Sequence, residues 1–299
     1  MKKHPVLRPV IRVAALVLLF VLFLGTASTG IAKKSKSVPK YKIKINKQCS
    51  TVTIYKYSKG KYRPKKAMIC SPGGATPIGT FSLGSKMRWH TLMGPSYGQY
   101  CSRITGKILF HSVWYYSCGN AAQSYTQYNR LGTWASHGCV RLTVADAKYI
   151  YDKIPQGTPI IIYNSKKPGP LGKPKSIKVN GYCGWDPTDP DKNNPYHKKK
   201  PVIRGVKKKK TVKFGKKFKP MKGVTATNST DCDATKQVKV SVYYYSHFVN
   251  RYVWVNKVNT KLPGKYRIEY SITDEIGHSA KKTSRVTVNK KEDTSHGRV

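Results

Sequence analysis

The stretch Ala135-Ser136-His137-Gly138-Cys139-Val140-Arg141-Leu142 decides the fold assignment, because it places a cysteine beside an imidazole just before a predicted helix. That helix spans residues 144–154 with apolar residues at a spacing of three and four, and Thr143 is its expected N-cap. The adjacent imidazole, the positive end of the helix dipole and Arg141 would each favour the thiolate of Cys139. Since the thiolate attacks carbonyl carbons, we predict a nucleophilic cysteine.

A second imidazole, His111, follows the short apolar strand formed by residues 108–110 and is the candidate general base. Gly138 permits a tight turn in which the backbone N–H groups of residues 138 and 139 could converge on an oxyanion. Two other interpretations stay open at this point. The stretch could be a turn with an inert core thiol, or His111, His137 and Cys139 could bind zinc, although the C-x-x-C pairs common in structural zinc sites are absent.

Residues 41–163 around this stretch are predicted to be β-rich, with one or two helices. Alternation of apolar and polar residues predicts a strand at Tyr41–Asn46, and a hairpin is expected to join residues 49–57 to residues 62–70. Residues 71–77 form a loop by their glycines and prolines, and shorter strands are expected at residues 79–83, 108–110 and 158–163.

Several motifs in this order resemble the L,D-transpeptidase (YkuD-type) catalytic domain. They are Phe110-His111-Ser112-Val113, residues 128–132 (Y-N-R-L-G), the stretch around Cys139, residues 76–81 (T-P-I-G-T-F) and the closing residues 155–163. The resemblance covers residues 41–163. It implies a mixed, mainly β fold and a thiol acyl transfer on peptidoglycan stem peptides, with no metal and no cofactor.

In that resemblance, Cys139 would attack the carbonyl of the third residue of a tetrapeptide donor and expel the terminal D-alanine. His111 would act as general acid and base, and the amine of a neighbouring stem would complete a 3→3 cross-link. Carbapenem-type inhibitors would acylate the same thiol.

The resemblance also assigns supporting roles around that pair. Ser112, Ser136 and His137 would orient the nucleophile and the base. Arg141 would bind a substrate carboxylate or support the loop.

Two features depart from the family pattern. His111 and Cys139 are 28 residues apart, a longer separation than in simpler members of the family. Residues 115–127 read as an inserted loop beside the cleft, which could shape acceptor choice or act as a lid. Cys118 lies in that loop and could form a redox pair with Cys139.

The charge of the chain requires an anionic environment. Its 299 residues carry 57 Lys and Arg against 12 Asp and Glu, a net charge of +45, and residues 41–163 carry 17 against 2. Anionic wall polymers and stem-peptide carboxylates are the expected partners. A nucleic-acid partner is not expected, because the N-terminus indicates export, and we expect a monomer.

Residues 1–32 are predicted to be a secretory signal peptide. Basic residues precede an apolar run at residues 13–24, which is short for a bilayer span, and Gly30-Ile31-Ala32 offers a small-x-small cleavage site. The alternative is an uncleaved membrane anchor, and in both cases the body is extracytoplasmic, in the cell wall or secreted. The seven cysteines make an odd count, so one thiol stays free whatever the pairing of the others.

The rest of the chain is divided by composition. Residues 33–40 are a short basic linker, residues 164–205 a Pro/Gly/Lys-rich linker and residues 289–299 a polar tail. Residues 206–288 show short alternating strands, and their segments 223–227 and 261–280 resemble bacterial immunoglobulin-like repeats of surface proteins. In this module Tyr243-Tyr244-Tyr245 and Trp254 are expected to pack internally rather than to form a glycan platform.

The sequence therefore predicts an exported peptidoglycan L,D-transpeptidase with a C-terminal immunoglobulin-like β-sandwich. The same site would give an L,D-carboxypeptidase if water replaced the acceptor amine. A non-catalytic, basic wall-binding protein is the alternative from another functional class.

Overall fold

The computed structural model describes residues 37–292, and these residues are mainly β, as predicted. The strands are β1 (Tyr41–Asn46), β2 (Thr51–Ser58), β3 (Lys61–Ile69), β4 (Gly79–Ser82), β5 (Lys86–Thr91), β6 (Tyr97–Thr105), β7 (Ile108–Ser112), β8 (Val140–Leu142), β9 (Pro159–Tyr163), β10 (Val202–Arg204), β11 (Lys209–Val212), β12 (Thr225–Thr227), β13 (Lys239–Ser246), β14 (Arg251–Val255), β15 (Gly264–Thr273) and β16 (Ser279–Val288). The α-helices within this range are α1 (Tyr125–Tyr128) and α2 (Val144–Lys153), and short 3-10 helices lie at Pro195–Lys198 and Thr235–Gln237.

The predicted signal segment, residues 1–32, lies outside the described residues, as do residues 33–36 and 293–299. In the part of the chain that the structure describes, no helix has the length and apolar character needed to cross a bilayer.

Two sheets form the N-terminal half of the described chain. One has the strand order β3-β2-β1-β9-β4 and the other the order β5-β6-β7-β8. The alternation in β1 buries Ile43 and Ile45 completely, and each such side chain contributes roughly 1.5–3 kcal/mol by leaving water. They share one core with Phe110 of β7 and with Ile150 of α2, so the sheets and the helix pack together.

The predicted hairpin is confirmed as β2 and β3. Lys59 and Gly60 connect the two strands, and both have positive φ angles, 50° and 76°. A two-residue turn with this geometry matches the right-handed twist of paired strands, which explains why Gly follows Lys there.

The predicted helix is confirmed as α2, and its N-cap is the predicted one, because the Thr143 side chain accepts a hydrogen bond from the Asp146 N–H at 3.2 Å. A strand that the sequence did not reveal, β8, separates Cys139 from this cap. Four residues of extended chain span about 13 Å, and the helix dipole acts mainly within the first turn. The expected direct effect of the helix dipole on the thiol is therefore wrong.

Residues 164–205 contain little regular structure but pack closely against the preceding domain. Val179 and Tyr196 are buried in one cluster with Tyr128 and Leu131, which lie just before the Cys139 stretch. Short-range hydrogen bonds from Asp and Asn side chains hold this segment instead of a helical or strand repeat. Such bonds leave no periodic pattern in the sequence.

Asp186 ties this segment to the rest of the domain. Its side chain is fully buried and accepts hydrogen bonds from the Val144 N–H at the start of α2 (2.8 Å) and from Thr188 N–H and Oγ1 (2.8 and 2.6 Å). The Gln123 side chain, in the inserted loop, donates to the same carboxyl group at 3.4 Å. One buried carboxyl group thus joins the segment to α2 and to the loop before the nucleophile.

The C-terminal module contains a five-stranded sheet with the order β11-β16-β15-β13-β14 and a two-stranded sheet of β10 and β12. Both contribute to one core, with Ile203 and Ala226 from the smaller sheet packing with Tyr266 and Ile268 from the larger one. The predicted strands of residues 206–288 are present, and the immunoglobulin-like identity of the module stays a prediction.

Candidate active site

A cleft of about 1160 Å³ contains most of the predicted site residues. Its lining includes His111, Ser136, His137, Gly138, Cys139 and Arg141. Ser112 is the exception, since its side chain is fully buried behind the cleft.

Parallel pairing of β7 with β8 brings His111 and Cys139, the predicted base and nucleophile, to the same cleft. Phe110 pairs with Val140, and His111 pairs with Arg141. His111 lies on β7 and Cys139 immediately precedes β8, so the two residues are close to the same strand pair although 28 positions separate them in the chain. The inserted loop, residues 115–127, lies between β7 and β8 in the chain and takes no part in their pairing.

The loop of residues 71–77 holds the backbone of the Cys139 stretch. Ala75 N–H donates to the His137 carbonyl at 2.8 Å, and Thr76 Oγ1 donates to the Gly138 carbonyl at 2.7 Å. A Cβ atom at Gly73 would overlap the backbone carbonyl groups of the same stretch. The sequence predicted residues 71–77 as a loop and marked only Thr76 as part of a family motif, whereas the structure gives Gly73 and Thr76 positioning roles.

Lys47 and Trp134 support that loop from the other side. Lys47 Nζ donates to the carbonyls of Gly74 (2.8 Å) and Thr76 (2.9 Å) and lies 5.0 Å from the centre of the Trp134 ring. The indole N–H of Trp134 donates to the Lys47 carbonyl at 2.8 Å. The Lys47 ammonium group thus provides hydrogen-bond donors for the carbonyl oxygens of Gly74 and Thr76 in this tight loop.

The thiol of Cys139 is neutral in the resting site. Burial raises its pKa, and the Leu109 backbone N–H and the Arg141 guanidinium oppose this effect without reversing it. The thiol donates to the Lys107 carbonyl at 3.6 Å, and Ser136 Oγ fixes the loop by donating to the Cys139 carbonyl at 2.5 Å. The expected thiolate is therefore not the resting form, and attack requires a base.

His111 is the candidate for that base, and its imidazole is uncharged at neutral pH. Burial lowers its pKa to about 3, the Arg141 charge adds to this effect, His90 contributes further, and the hydrogen bond to Ser112 opposes it. The ring Nδ1 lies 2.5 Å from the Ser112 carbonyl oxygen, which can only accept. The proton therefore occupies Nδ1, and Nε2 carries the lone pair that can take a proton from a thiol.

Ser112 acts through its backbone and through the sheet. Its carbonyl fixes the imidazole tautomer, while its Oγ accepts from the Gln99 N–H at 3.1 Å and donates to the Val113 carbonyl at 3.0 Å. Gly98, beside Gln99, leaves space for the imidazole, because a Cβ there would lie 3.0 Å from Nδ1 of His111.

Gly138 and Cys139 both line the cleft. Among the backbone hydrogen bonds of residues 37–292, neither of their N–H groups is a donor. A Cβ at Gly138 would lie 2.6 Å from Ile108 Cδ1, so the close packing of this turn requires glycine. Two free N–H groups at the nucleophile are suited to an oxyanion that forms only during reaction.

The cleft has a strongly basic lining. Four cationic side chains from separate segments line it, and none of its lining residues is Asp or Glu: these cations are Arg103, Lys107, Arg130 and Arg141. Arg141 donates to the Gln127 side chain at 2.8 Å, and burial followed by the Arg130 charge lowers its pKa. The site therefore favours a ligand with carboxylate groups.

The inserted loop is anchored at its start and lines the cleft with Tyr116 and Gln127, next to Trp114 directly before the loop. Tyr115 is fully buried, and its hydroxyl accepts a hydrogen bond from Gln99 Nε2 at 2.7 Å. His90 also lines the cleft, although the sequence gave it no role. Its place there follows from the pairing of β5 with β6, which has no signal in the local sequence.

All seven cysteines are free thiols in the structure, with Cys118 exposed and Cys139 half-buried. Among residues 37–292, no group of three or more His, Cys, Asp or Glu side chains is placed to hold a metal ion.

Comparison with known proteins places the site in a family domain. Residues 40–162 match the YkuD family model, the L,D-transpeptidase catalytic domain. The chain is also 39% identical over 92 residues to YciB of Bacillus subtilis (strain 168), which is named as a candidate L,D-transpeptidase. That match covers 29% of this chain and 46% of YciB, so the chain spans less than half the length of this relative.

Solved structures with similarity to the chain include an L,D-transpeptidase from Mycobacterium smegmatis, which is 21% identical with a TM-score of 0.34. The L,D-transpeptidase LdtMt1 in complex with imipenem is 22% identical, also with a TM-score of 0.34. Each similarity covers 42% of this chain and 59% of the other chain. The family match, over almost the same residues, confirms the resemblance of residues 41–163 to the L,D-transpeptidase catalytic domain.

Proposed function

We propose that this protein is a peptidoglycan L,D-transpeptidase that forms 3→3 cross-links through a thioester on Cys139. The observation that carries the proposal is that the neutral thiol of Cys139, directly before β8, and the neutral imidazole of His111 on β7 line one basic cleft. The family match of residues 40–162 supports the same reaction class.

In the acylation step, the Cys139 sulfur forms a bond to the carbonyl carbon of the third residue of the donor stem. The thiol proton passes to His111 Nε2, and the N–H groups of Gly138 and Cys139 stabilise the tetrahedral oxyanion. When the carbon–nitrogen bond breaks, the imidazolium returns the proton to the leaving amine, and D-alanine departs.

In the second step, the amine of an acceptor stem attacks the thioester carbonyl. His111 Nε2 removes a proton from the attacking nitrogen and returns it to the sulfur, so the thiol is regenerated and a new amide bond is formed. The low pKa of His111 keeps the imidazole free for both proton transfers at neutral pH.

Substrate binding rests on the charge of the cleft. Stem peptides carry carboxylates, and the four cations that line the cleft provide charge-assisted donors without competing acidic groups. Arg141 is held by Gln127 of the inserted loop, so this loop contributes to the orientation of a substrate carboxylate.

The test uses the full chain with a soluble disaccharide-tetrapeptide and mass spectrometry of the products. We expect a dimer whose mass reflects the loss of one D-alanine, no dimer with Cys139→Ala, and an unchanged yield with Cys118→Ala as the matched control. Tripeptide monomer alone would indicate an L,D-carboxypeptidase. No product from a folded protein would refute the enzymatic proposal and favour a non-catalytic wall-binding protein.

We also propose that the protein acts outside the cytoplasm. The basic N-terminus, the apolar run of residues 13–24 and the small-x-small site before Lys33 support export. Fractionation of the native cell, followed by N-terminal sequencing, tests this proposal. Protein that begins at Lys33 in the wall or the medium, or intact protein in the membrane fraction, agrees with it, and intact cytoplasmic protein contradicts it.

A further inference from the structure

The hairpin of β13 and β14 carries four aromatic residues on one face of the C-terminal sheet. Tyr243 pairs with Trp254, and Tyr245 pairs with Tyr252. Val242, directly before Tyr243, is buried in the module core, and Tyr244 packs against the same core. The alternation of strand side chains therefore directs the four rings to the opposite, outer face. We call these four residues the aromatic face.

The aromatic face is open to solvent, contrary to the sequence-based expectation of internal packing. Trp254 is 66% exposed, and the other three rings are half-buried. Only Tyr244 of the tyrosine triplet packs against the core. An exposed aromatic cluster of this kind is uncommon on a monomer unless it binds something.

Cationic side chains continue the same row across the sheet. Tyr243 pairs with Arg267 of β15, Arg267 pairs with Arg285 of β16, and Arg285 pairs with Lys209 of β11. Arg285 and Lys209 are exposed. Strand order therefore places rings at one side of this surface and positive charges at the other.

Arg267 lies between the aromatic face and the exposed cations Arg285 and Lys209. Its guanidinium lies 4.7 Å from the centre of the Tyr243 ring and 4.9 Å from that of Tyr252, and Glu269 pairs with its Nε at 3.4 Å. These two cation–π contacts, together with the ion pair, favour this position of the guanidinium beside the rings.

We propose that this outer surface binds the glycan strands of peptidoglycan, with sugar rings stacked on the aromatic face and stem-peptide carboxylates near Arg285 and Lys209. The C–H groups of a sugar ring are weakly positive and are attracted to the negative face of an aromatic ring. Carboxylates complement a module whose residues 206–288 carry 19 Lys and Arg against 5 Asp and Glu.

The choice of ligand rests on the proposed function. The donor and acceptor stems of that reaction are attached to the glycan strand, so binding the strand by the module keeps stems near the cleft. Binding of this kind raises the effective concentration of stem peptides at the cleft and requires no new contact in the active site.

Co-sedimentation with insoluble peptidoglycan, stripped of other wall polymers, tests the proposal. The parent protein is the full chain with Cys139→Ala, so no turnover alters the sacculi. We expect Tyr243→Ala combined with Trp254→Ala to weaken binding roughly tenfold at 1 M NaCl, where the screening length is about 3 Å and general basic attraction is suppressed. Trp254→Leu, which keeps an apolar but not an aromatic side chain, is expected to weaken binding as well.

The matched control is Tyr182→Ala, which removes a 60% exposed ring outside the module. This variant is expected to bind like the parent. Arg285→Gln combined with Lys209→Gln is expected to weaken binding at low salt and to change little at 1 M NaCl. Thermal unfolding of each variant verifies that the module is folded.

Equal binding by the parent and the aromatic variants at 1 M NaCl would overturn the proposal. Binding that requires teichoic acid, or aromatic-dependent self-association in sedimentation velocity without glycan binding, would assign the surface to another occupant and also overturn it. The same aromatic variants in the Cys139-containing protein should cross-link soluble disaccharide-tetrapeptide at the normal rate. Loss of the glycan site and failure of the catalytic proposal are therefore distinguishable.

Discussion

The carboxyl group of Asp186 is expected to make the protein less stable as the pH rises from 4 to 7. Burial raises its pKa from 3.8 to about 6, even though Thr188, Val144 and Gln123 donate hydrogen bonds that oppose the change. The folded state therefore holds this proton more tightly than the unfolded state does. Stabilisation from the group is complete below the unfolded pKa and is lost as the pH rises through about 6.

The magnitude follows from the difference between the two pKa values. A shift of about two units corresponds to about 3 kcal/mol of unfolding free energy, at about 1.4 kcal/mol per unit. No discount for solvent screening applies, because the side chain is fully buried. About four-fifths of this change should occur between pH 4 and pH 7.

Asp186→Asn isolates this contribution, because an amide does not titrate. Urea unfolding of both proteins at pH 4 and pH 7 gives the free-energy cost of the substitution, and the effects of all other carboxyl groups cancel in that difference. We expect the cost to be about 2 kcal/mol larger at pH 4 than at pH 7, since the unfolded carboxyl group is already partly ionised at pH 4.

Asp191→Asn provides a control of opposite sign from the same segment. The Asn193 backbone N–H is the main cause that lowers the Asp191 pKa, so its carboxylate stabilises the fold above the unfolded pKa and loses this effect as the pH falls. An equal cost of Asp186→Asn at both pH values, or a cost that grows with pH, would refute this reasoning. It would mean that the hydrogen-bond donors and the N-terminus of α2 lower the pKa of Asp186 at least as much as burial raises it.

Three further predictions concern the cleft. Because burial lowers the His111 pKa to about 3, the rate of acylation by a carbapenem should stay level from pH 5 to pH 8, and an acidic limb centred near 6.5 would show that the imidazole is not desolvated. Peptide mapping should find a single carbapenem adduct on Cys139, and an adduct on Cys118 would move the nucleophile to the inserted loop. Gly73→Ala should lower cross-linking roughly a hundredfold, because its Cβ displaces the nucleophile stretch, whereas Gly74→Ala, where a Cβ meets open space, should be nearly silent; equal rates would contradict the positioning role.

The strands and the helix that carry clear local patterns were predictable from the sequence. Strict alternation indicated β1, two residues with positive φ joined β2 to β3, and the spacing of apolar residues with a Thr cap indicated α2. The strands β5 and β6 were missed, because their pairing partners rather than their own sequence patterns determine them.

The packing of residues 164–205 could not be predicted for a related reason. Asp186 and Asn194 are buried by contacts with residues that lie far away in the chain or by turns within the segment. Composition identifies such a segment as a linker, since Pro, Gly and Lys disfavour regular elements whether or not the chain packs.

The sequence by itself predicted which residues carry the chemistry, since ordered motifs that resemble the family point to Cys139 and His111 without any coordinates. Only the tertiary structure decided their protonation, because burial acts on the pKa through neighbours that the sequence does not place together. The same holds for the aromatic face of β13 and β14. Alternation shows that a strand has two different faces, but which face is covered depends on where the rest of the fold packs.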